Sequence, residues 1–363
     1  MMISANLANR VTIARPQAAC SHCDHTAEAA PADHVHLAGG PSAESCPTGL
    51  CDHGHQTAQA AALAASNLPG AAVIQAPRPE ITAKLQEKLG PRPFHISKEQ
   101  AAELSKDLNL SSDQLMVELI PVAKANARPP ISNYLVGAVG RGASGDLYLG
   151  VNLEMPNQAL NQSVHGEQFV TANALAHGEK GLSRLAVSAE PCGHCRQFLN
   201  ELQDGGDLGI LIPGQEPVEL KTLLPRNFGP KDLGIEGALL ASPDFDLKLA
   251  NDTQDPTVLA ALDAAKKSYA PYSKCPSGIA IEANGKVYAN GYAENAAFNP
   301  SLSPLQSTLV ELVADGVQYS DIQRVVLVER EQLERNQASQ EGISRLVLES
   351  IAPDASFEVH HAS

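Results

Sequence analysis

The feature that most constrains this chain is that it repeats itself. Ile131-Ser-Asn-Tyr-Leu-Val-Gly137 matches Tyr272-Ser-Lys-Cys-Pro-Ser-Gly278, 141 positions further on. One residue is lost in the turn that follows, and Asn152-Leu-Glu154 then matches Tyr292-Ala-Glu294 at an offset of 140. Both stretches read as strand, turn and strand. A chain of 363 residues already favours two domains, at roughly 150 residues each. The repeat narrows this to two copies of one unit, with chance likeness of two strand-turn-strand segments as the competing explanation.

The texture around the first copy is α/β. Tyr134 to Val139 and Leu147 to Leu153 read as strands, with Gly140-Arg-Gly-Ala-Ser-Gly145 supplying turn residues between them. Val164 to Ala176 reads as a helix, Arg184 to Ala189 as a buried strand, Gly193 to Leu202 as a helix and Leu208 to Ile212 as a strand. Strands alternating with helices imply crossovers and a largely parallel sheet. Before this lies a helical segment, 79–126. Ser97 and Ser111 stand as N-caps there, and Pro121 is expected to kink or end the second helix. The boundaries read as an arm at 1–78, the helical segment at 79–126, a catalytic unit at 127–232, a connector at 233–251 and a second unit at 252–363.

Two short motifs bring chemistry to the first unit. His165-Gly-Glu167 opens a helix, and Pro191-Cys-Gly-His-Cys195 sits at the next strand-to-helix turn. His165, Cys192 and Cys195 supply three ligands of the kinds zinc favours, leaving a fourth position for water. The two thiolates sit at a helix N-terminus, whose partial positive charge and free N–H groups lower a thiol pKa. A bound zinc ion can bring a water to a pKa of roughly 7. Glu167, two residues from His165, can face that water without ligating the metal and act as general acid and base. A structural zinc or a redox C-x-x-C pair is the competing reading, and the former needs a fourth protein ligand. His194 is poorly aimed for that. Arg196 reads either as a donor to a ligand thiolate or as a surface residue.

The order H-x-E then P-C-x-x-C is a general signature of zinc deaminases. Further stretches carry a closer resemblance. Ala127 to Tyr134, Gly150 to Glu154, Ser163 to Phe169, Ala189 to Phe198, Phe228-Gly-Pro-Lys-Asp232, Ser268 to Ser273 and Tyr292 to Pro300 resemble the long, two-domain cytidine deaminases. The likeness runs from about residue 80 to 363. It implies a three-layer α/β/α cytidine-deaminase-like fold, a catalytic domain followed by a degenerate second copy. It implies hydrolysis of cytidine and 2′-deoxycytidine to the uridines and ammonia, in pyrimidine salvage. It also implies one zinc per catalytic domain, and a homodimer in which the partner's second half, within Ala293 to Phe298, closes the site. By this similarity Asn152 and Glu154 hold the ribose 3′-hydroxyl, Tyr134 lies near the base, and the Gly166 N–H serves the base carbonyl. Tyr134 and Gly166 stand where the family usually has Phe and Ala, and Leu135 also departs from the pattern. The second half lacks the ligands. At an offset of 140, His165-Gly166-Glu167 falls on Leu305-Gln306-Ser307, and no P-C-x-x-C occurs after residue 250.

Composition weighs on the alternatives, a nucleic-acid-editing deaminase or a catalytically impaired metal-binding scaffold. A net charge of −15 opposes broad contact with a phosphate backbone. An aromatic share of 4%, with no Trp, leaves little for stacking on single strands. No apolar run is long enough to span a membrane, and the stretch from Met1 to Ala19 lacks a secretory core. Seven cysteines, an odd count, fit metal thiolates in a reducing compartment better than a disulfide framework. Cytoplasm is the default, with a weak organelle-targeting reading of the basic start. Within the arm, Cys20, Cys23, Cys46 and Cys51 lie among six histidines. They form a candidate second metal site, against a tail whose ligands are incidental. Cys275, aligned with Tyr134, reads as a buried free thiol.

Overall fold

The computed structural model describes residues 72–331 and 337–363, all within one compact unit. The candidate ligands Cys20, Cys23, Cys46 and Cys51, and the arm as far as residue 71, lie outside the described residues. Residues 72–78, grouped with the arm on sequence grounds, pack on the fold. Ile74 is buried, and its backbone exchanges hydrogen bonds with Gln215 and Gly214.

In chain order the elements are α1 (Pro79–Leu89), β1 (His95–Ile96), α2 (Lys98–Leu108), α3 (Ser112–Lys124), β2 (Gly137–Gly142), β3 (Leu147–Val151), α4 (Gly166–Ala176), β4 (Leu182–Val187), α5 (Gly193–Leu199), β5 (Gly209–Leu211), β6 (Val218–Glu219) and α6 (Leu220–Leu223). The second half adds α7 (Pro256–Lys266), β7 (Ser277–Ala283), β8 (Lys286–Gly291), α8 (Pro304–Ala314), β9 (Ile322–Arg330), α9 (Glu341–Ile351) and β10 (Ser356–Ala362). Ser97 and Ser111 cap α2 and α3 by accepting from Gln100 N and Gln114 N. Pro121 does not end α3, which runs on to Lys124.

The first sheet has the order β1-β3-β2-β4-β5-β6 and the second β10-β9-β7-β8. The expectation of a largely parallel sheet is corrected. Only β4 with β5 and β9 with β10 run parallel; every other pair is antiparallel. The cause is local. The Gly-rich turn makes β2 and β3 a hairpin, which must be antiparallel, and β4 then joins the other side of β2 in the same sense.

Alternation along β2 sets the layers. A Cβ on Gly137 would meet Ile120 and Lys124 of α3, whereas one on Gly140 would meet Val170 of α4. The two helices therefore cover opposite faces, an α/β/α sandwich. In the second half, a Cβ on Gly278 would meet α7, while Ile279 and Ile281 join the core that holds Leu305 and Leu309 of α8. One apolar core runs through both halves, where α4 packs on α8. A smaller one lies between α7 and the second sheet.

The repeat is exact in backbone pairing. Leu153 bridges Arg128 and Val164, and Ala293 bridges Tyr269 and Leu302. These partners lie at offsets of 141, 140 and 138, so the second copy has lost two further residues before its second helix. The alignment of His165 with Leu305 is corrected accordingly. His165 and Ser303 are the N-caps of α4 and α8, so Gly166 corresponds to Pro304 and Glu167 to Leu305. The second copy still has no ligand at these positions. No helix among the described residues is long and apolar enough to cross a membrane.

Candidate functional site

Two helix N-termini meet at the site. His165 is the N-cap of α4, Cys192 is the N-cap of α5, and Cys195 lies in the first turn of α5. Both helices start where they do because the chain arrives extended, at ψ 157° for His165 and ψ 165° for Cys192. The Cys192 Sγ lies 3.5 Å from His165 Nδ1 and 3.6 Å from Cys195 Sγ. All three donor atoms fall within 4.8 Å of one another. A tetrahedral zinc site has edges of roughly 3.8 Å between sulfurs and roughly 3.6 Å between sulfur and nitrogen. The donor set therefore fits that metal in both chemistry and spacing, and the fourth corner carries no protein ligand among the described residues.

The electrostatics point the same way. Cys192 is held down to about 3, first by the hydrogen bond from the Cys195 thiol and then by His165. Cys195 is raised by the same bond and by burial. A dication held by both sulfurs would favour both as thiolates. Glu167 is buried in the first turn of α4, one residue from Gln168 and two from the His165 cap. Burial pushes its pKa up. His194 stacks on His165, with ring centroids 5.0 Å apart and planes at 21°. Arg196 donates to the carbonyls of Pro191 and Leu223 and makes a longer pair with Glu190, not a bond to a thiolate.

The residues expected at the ribose and base line a neighbouring loop. β2 starts at Gly137 rather than Tyr134, because residues 134–136 are held off the sheet by Asn152. The Asn152 amide accepts from Val136 N at 2.8 Å and donates to Tyr134 O at 2.9 Å. Glu154 accepts from Ile131 N, Ser132 N and the Ser132 hydroxyl at 2.8, 2.9 and 2.5 Å. Tyr134 is exposed, and Gly166 is buried at the start of α4 against Val136. Cys275 is buried and free, as expected, with its Sγ against Ser273 O.

Residues that the sequence did not single out also converge here. Gln168 bonds His165 N, His194 and Pro300 O. Glu201, buried just after α5, accepts from Tyr269, Tyr272 and Ala296 N. Gln168 lies three residues after a helix N-cap, as in a capping box, but His is an unusual cap and masks the pattern.

Together these features define a zinc-dependent deaminase of the α/β/α type. Models of the cytidine and deoxycytidylate deaminase zinc-binding region match residues 110–205 and again residues 220–342. The chain is 45% identical over 239 residues to a cytidine deaminase of Shewanella oneidensis, covering 66% of this chain and 80% of the relative. The same identity and coverage hold for a cytidine deaminase of Salmonella paratyphi B. A crystal structure of cytidine deaminase from Mycobacterium tuberculosis overlaps 30% of this chain and 91% of its own, at 33% identity and a TM-score of 0.28. The chain belongs to the two-domain cytidine deaminase family.

Proposed function

We infer that this chain is a zinc-dependent hydrolase that deaminates cytidine and 2′-deoxycytidine to the corresponding uridines and ammonia, as a step of pyrimidine salvage. The observation that carries this is the meeting of His165, Cys192 and Cys195 at zinc-ligand spacing beside the buried carboxylate of Glu167. The family membership supports it. His165, Cys192 and Cys195 would hold a zinc ion, which when bound would acidify a water toward neutrality. Glu167 takes a proton from the water at a carboxylate oxygen. It passes that proton to the pyrimidine ring nitrogen as the water oxygen adds to C4, then takes the second proton from the added hydroxyl and gives it to the departing amine, so one carboxylate serves twice as base and as acid. The Gly166 N–H, at the start of α4, is free to meet the base carbonyl. Asn152 and Glu154 anchor the 131–136 loop and offer their remaining lone pairs to the ribose 3′-hydroxyl, with Tyr134 beside the base.

We assign catalysis to the unit at 127–232 and a supporting role to the copy at 252–363, which has Ser303 and Leu305 in place of His165 and Glu167. The working form is a homodimer. What supports this is the exposure of three apolar side chains, Ile131, Tyr134 and Leu135, on the loop that Asn152 and Glu154 hold. The free thiols of Cys192, Cys195 and Cys275 suit a reducing cytoplasm. The direct test is to incubate the protein with cytidine and follow the absorbance loss as uridine forms. Turnover on a polynucleotide but not on the free nucleoside would replace this reading with nucleic-acid editing.

A further inference from the structure

We propose that Gln168 is a positioning residue for the metal centre, and that the second half of the chain, lacking ligands of its own, sets the centre's geometry through it. The proposal rests on the zinc reading above.

Gln168 is the third residue of α4 and is 1% exposed. A primary amide offers two N–H donors and one carbonyl. The Gln168 carbonyl accepts from His165 N at 3.1 Å. Its amide nitrogen donates to Pro300 O at 3.1 Å and lies 3.2 Å from His194 Nε2. One buried amide thus joins the backbone of the His ligand, the residue next to ligand Cys195, and a fixed carbonyl of the second half. Both donors and the carbonyl are committed, so turning the side chain would break every one of these bonds.

The far end of this tie is itself anchored. Asn295 Nδ2 donates to Gln197 O of α5 at 3.0 Å, and Ala296 N donates to Glu201 at 3.0 Å. The segment that presents Pro300 is therefore braced against the helix that bears the two cysteines. Groups that orient a ligand in this way typically change metal affinity by roughly 10–100-fold when removed.

The fold contains its own control. Gln306, the third residue of α8, accepts from Ser303 N at 3.0 Å and donates to Gln162 O at 3.0 Å. It is the same clamp, made in the opposite direction between the same two helix starts, but it bonds Gln162 O and Ser163 O, ahead of His165, and touches no atom of a ligand residue. A purely structural clamp predicts equal effects from losing either Gln. A positioning role predicts that only Gln168 matters to the metal.

The experiment uses the full chain loaded with Co(II), whose thiolate absorption bands are assigned to this site by their loss in Cys192→Ser. Gln168→Met should weaken Co(II) binding at those bands by roughly 10–100-fold and shift their positions. Gln306→Met should lower the melting temperature and leave Co(II) affinity and bands unchanged. Gln168→Glu keeps the bond from His165 but cannot donate to Pro300. It carries the test if the Met variant does not fold, with the same weakening expected. Unchanged affinity in the folded Gln168 variants, or equal weakening in Gln306→Met, would overturn the proposal. A Cys192→Ser spectrum that loses no band relative to the parent would instead overturn the zinc reading, and the proposal with it; bands common to both proteins belong to the other cysteines of the chain.

Discussion

Glu154 and Glu294 hold the same turn in the two halves. Glu154 accepts from the successive N–H groups of Ile131 and Ser132, and Glu294 from those of Tyr272 and Ser273 at 2.8 and 3.1 Å. The following residues with positive φ, Asn133 at 56° and Lys274 at 58°, also correspond. The carboxylate clamp has survived in a copy that retains none of the metal ligands, so its first duty is to shape a loop.

One substitution pattern can separate this loop role of Glu154 from the proposed sugar contact. Glu154→Ala should raise KM for cytidine and lower the melting temperature, because the 131–136 loop loses three hydrogen bonds, each typically contributing about 1 kcal/mol or more. If Glu154 also meets the sugar, the loss in kcat/KM should be larger for cytidine than for 3′-deoxycytidine. Equal losses on the two substrates would reduce Glu154 to its loop role.

Glu167→Gln should abolish deamination while leaving zinc bound. General acid-base catalysis is commonly worth about 10²–10⁴-fold, and the proposed mechanism uses the same group in both directions. Zinc content by atomic absorption and turnover by ultraviolet absorbance are the two readings. Near-normal turnover would show that another group moves the proton.

Gly150→Ala should destabilise the protein and disturb the site from behind. A Cβ there would lie 2.5 Å from Gly166 O and 2.7 Å from Val170 N, both backbone atoms of α4 that cannot step aside. Overpacking of this kind costs about 1–3 kcal/mol. Gly166→Ala is the contrasting case. Its Cβ would meet the Val136 side chain at 3.0 Å, a tight contact with a half-buried loop residue rather than with helix backbone, so thermal melts should show a smaller loss than for Gly150→Ala. Melting curves of the two variants that coincide would contradict the close approach of β3 to α4.

The pH dependence of stability should carry the signature of Glu311 in α8. Its carboxyl is buried, and burial pushes its pKa up to about 8 from an unfolded value near 4.5. The folded state therefore holds a proton that the unfolded chain releases. The stabilisation is fully present below about pH 4.5 and is lost as pH rises through about 8. Glu311→Gln should flatten the fall in unfolding free energy across that window, by an amount on the order of 2–4 kcal/mol at most. Denaturant titrations at pH 5, 7 and 8.5 that gave the same slope for both proteins would exclude it.

Much of the site was legible in residue order. H-x-E and P-C-x-x-C fall at helix starts because Gly and extended caps allow it, and the ligand identities follow from thiolate and imidazole chemistry. What could not be read was the strand sense. Local periodicity reports which face of an element is apolar, and β2, β3 and β4 look alike whether parallel or antiparallel. The position of the lost residues in the second copy was equally hidden. Only the paired bridges at Val164 and Leu302, and the caps at His165 and Ser303, moved the match from Leu305 to Ser303.

By itself, then, the sequence determined the duplication and the α/β character, and it named His165, Cys192, Cys195 and Glu167 as candidates for ligands and proton carrier, since each depends on residue type and short-range spacing. The tertiary structure decided the rest. It turned the strands antiparallel, set Asn152 and Glu154 to work on their own loop, and committed Arg196 to carbonyls. It also brought Gln168 to Pro300 and Gln306 to Gln162, contacts that span 132 and 144 residues. Such bonds follow from how two helices pack across a shared core, and local residue order does not record that packing.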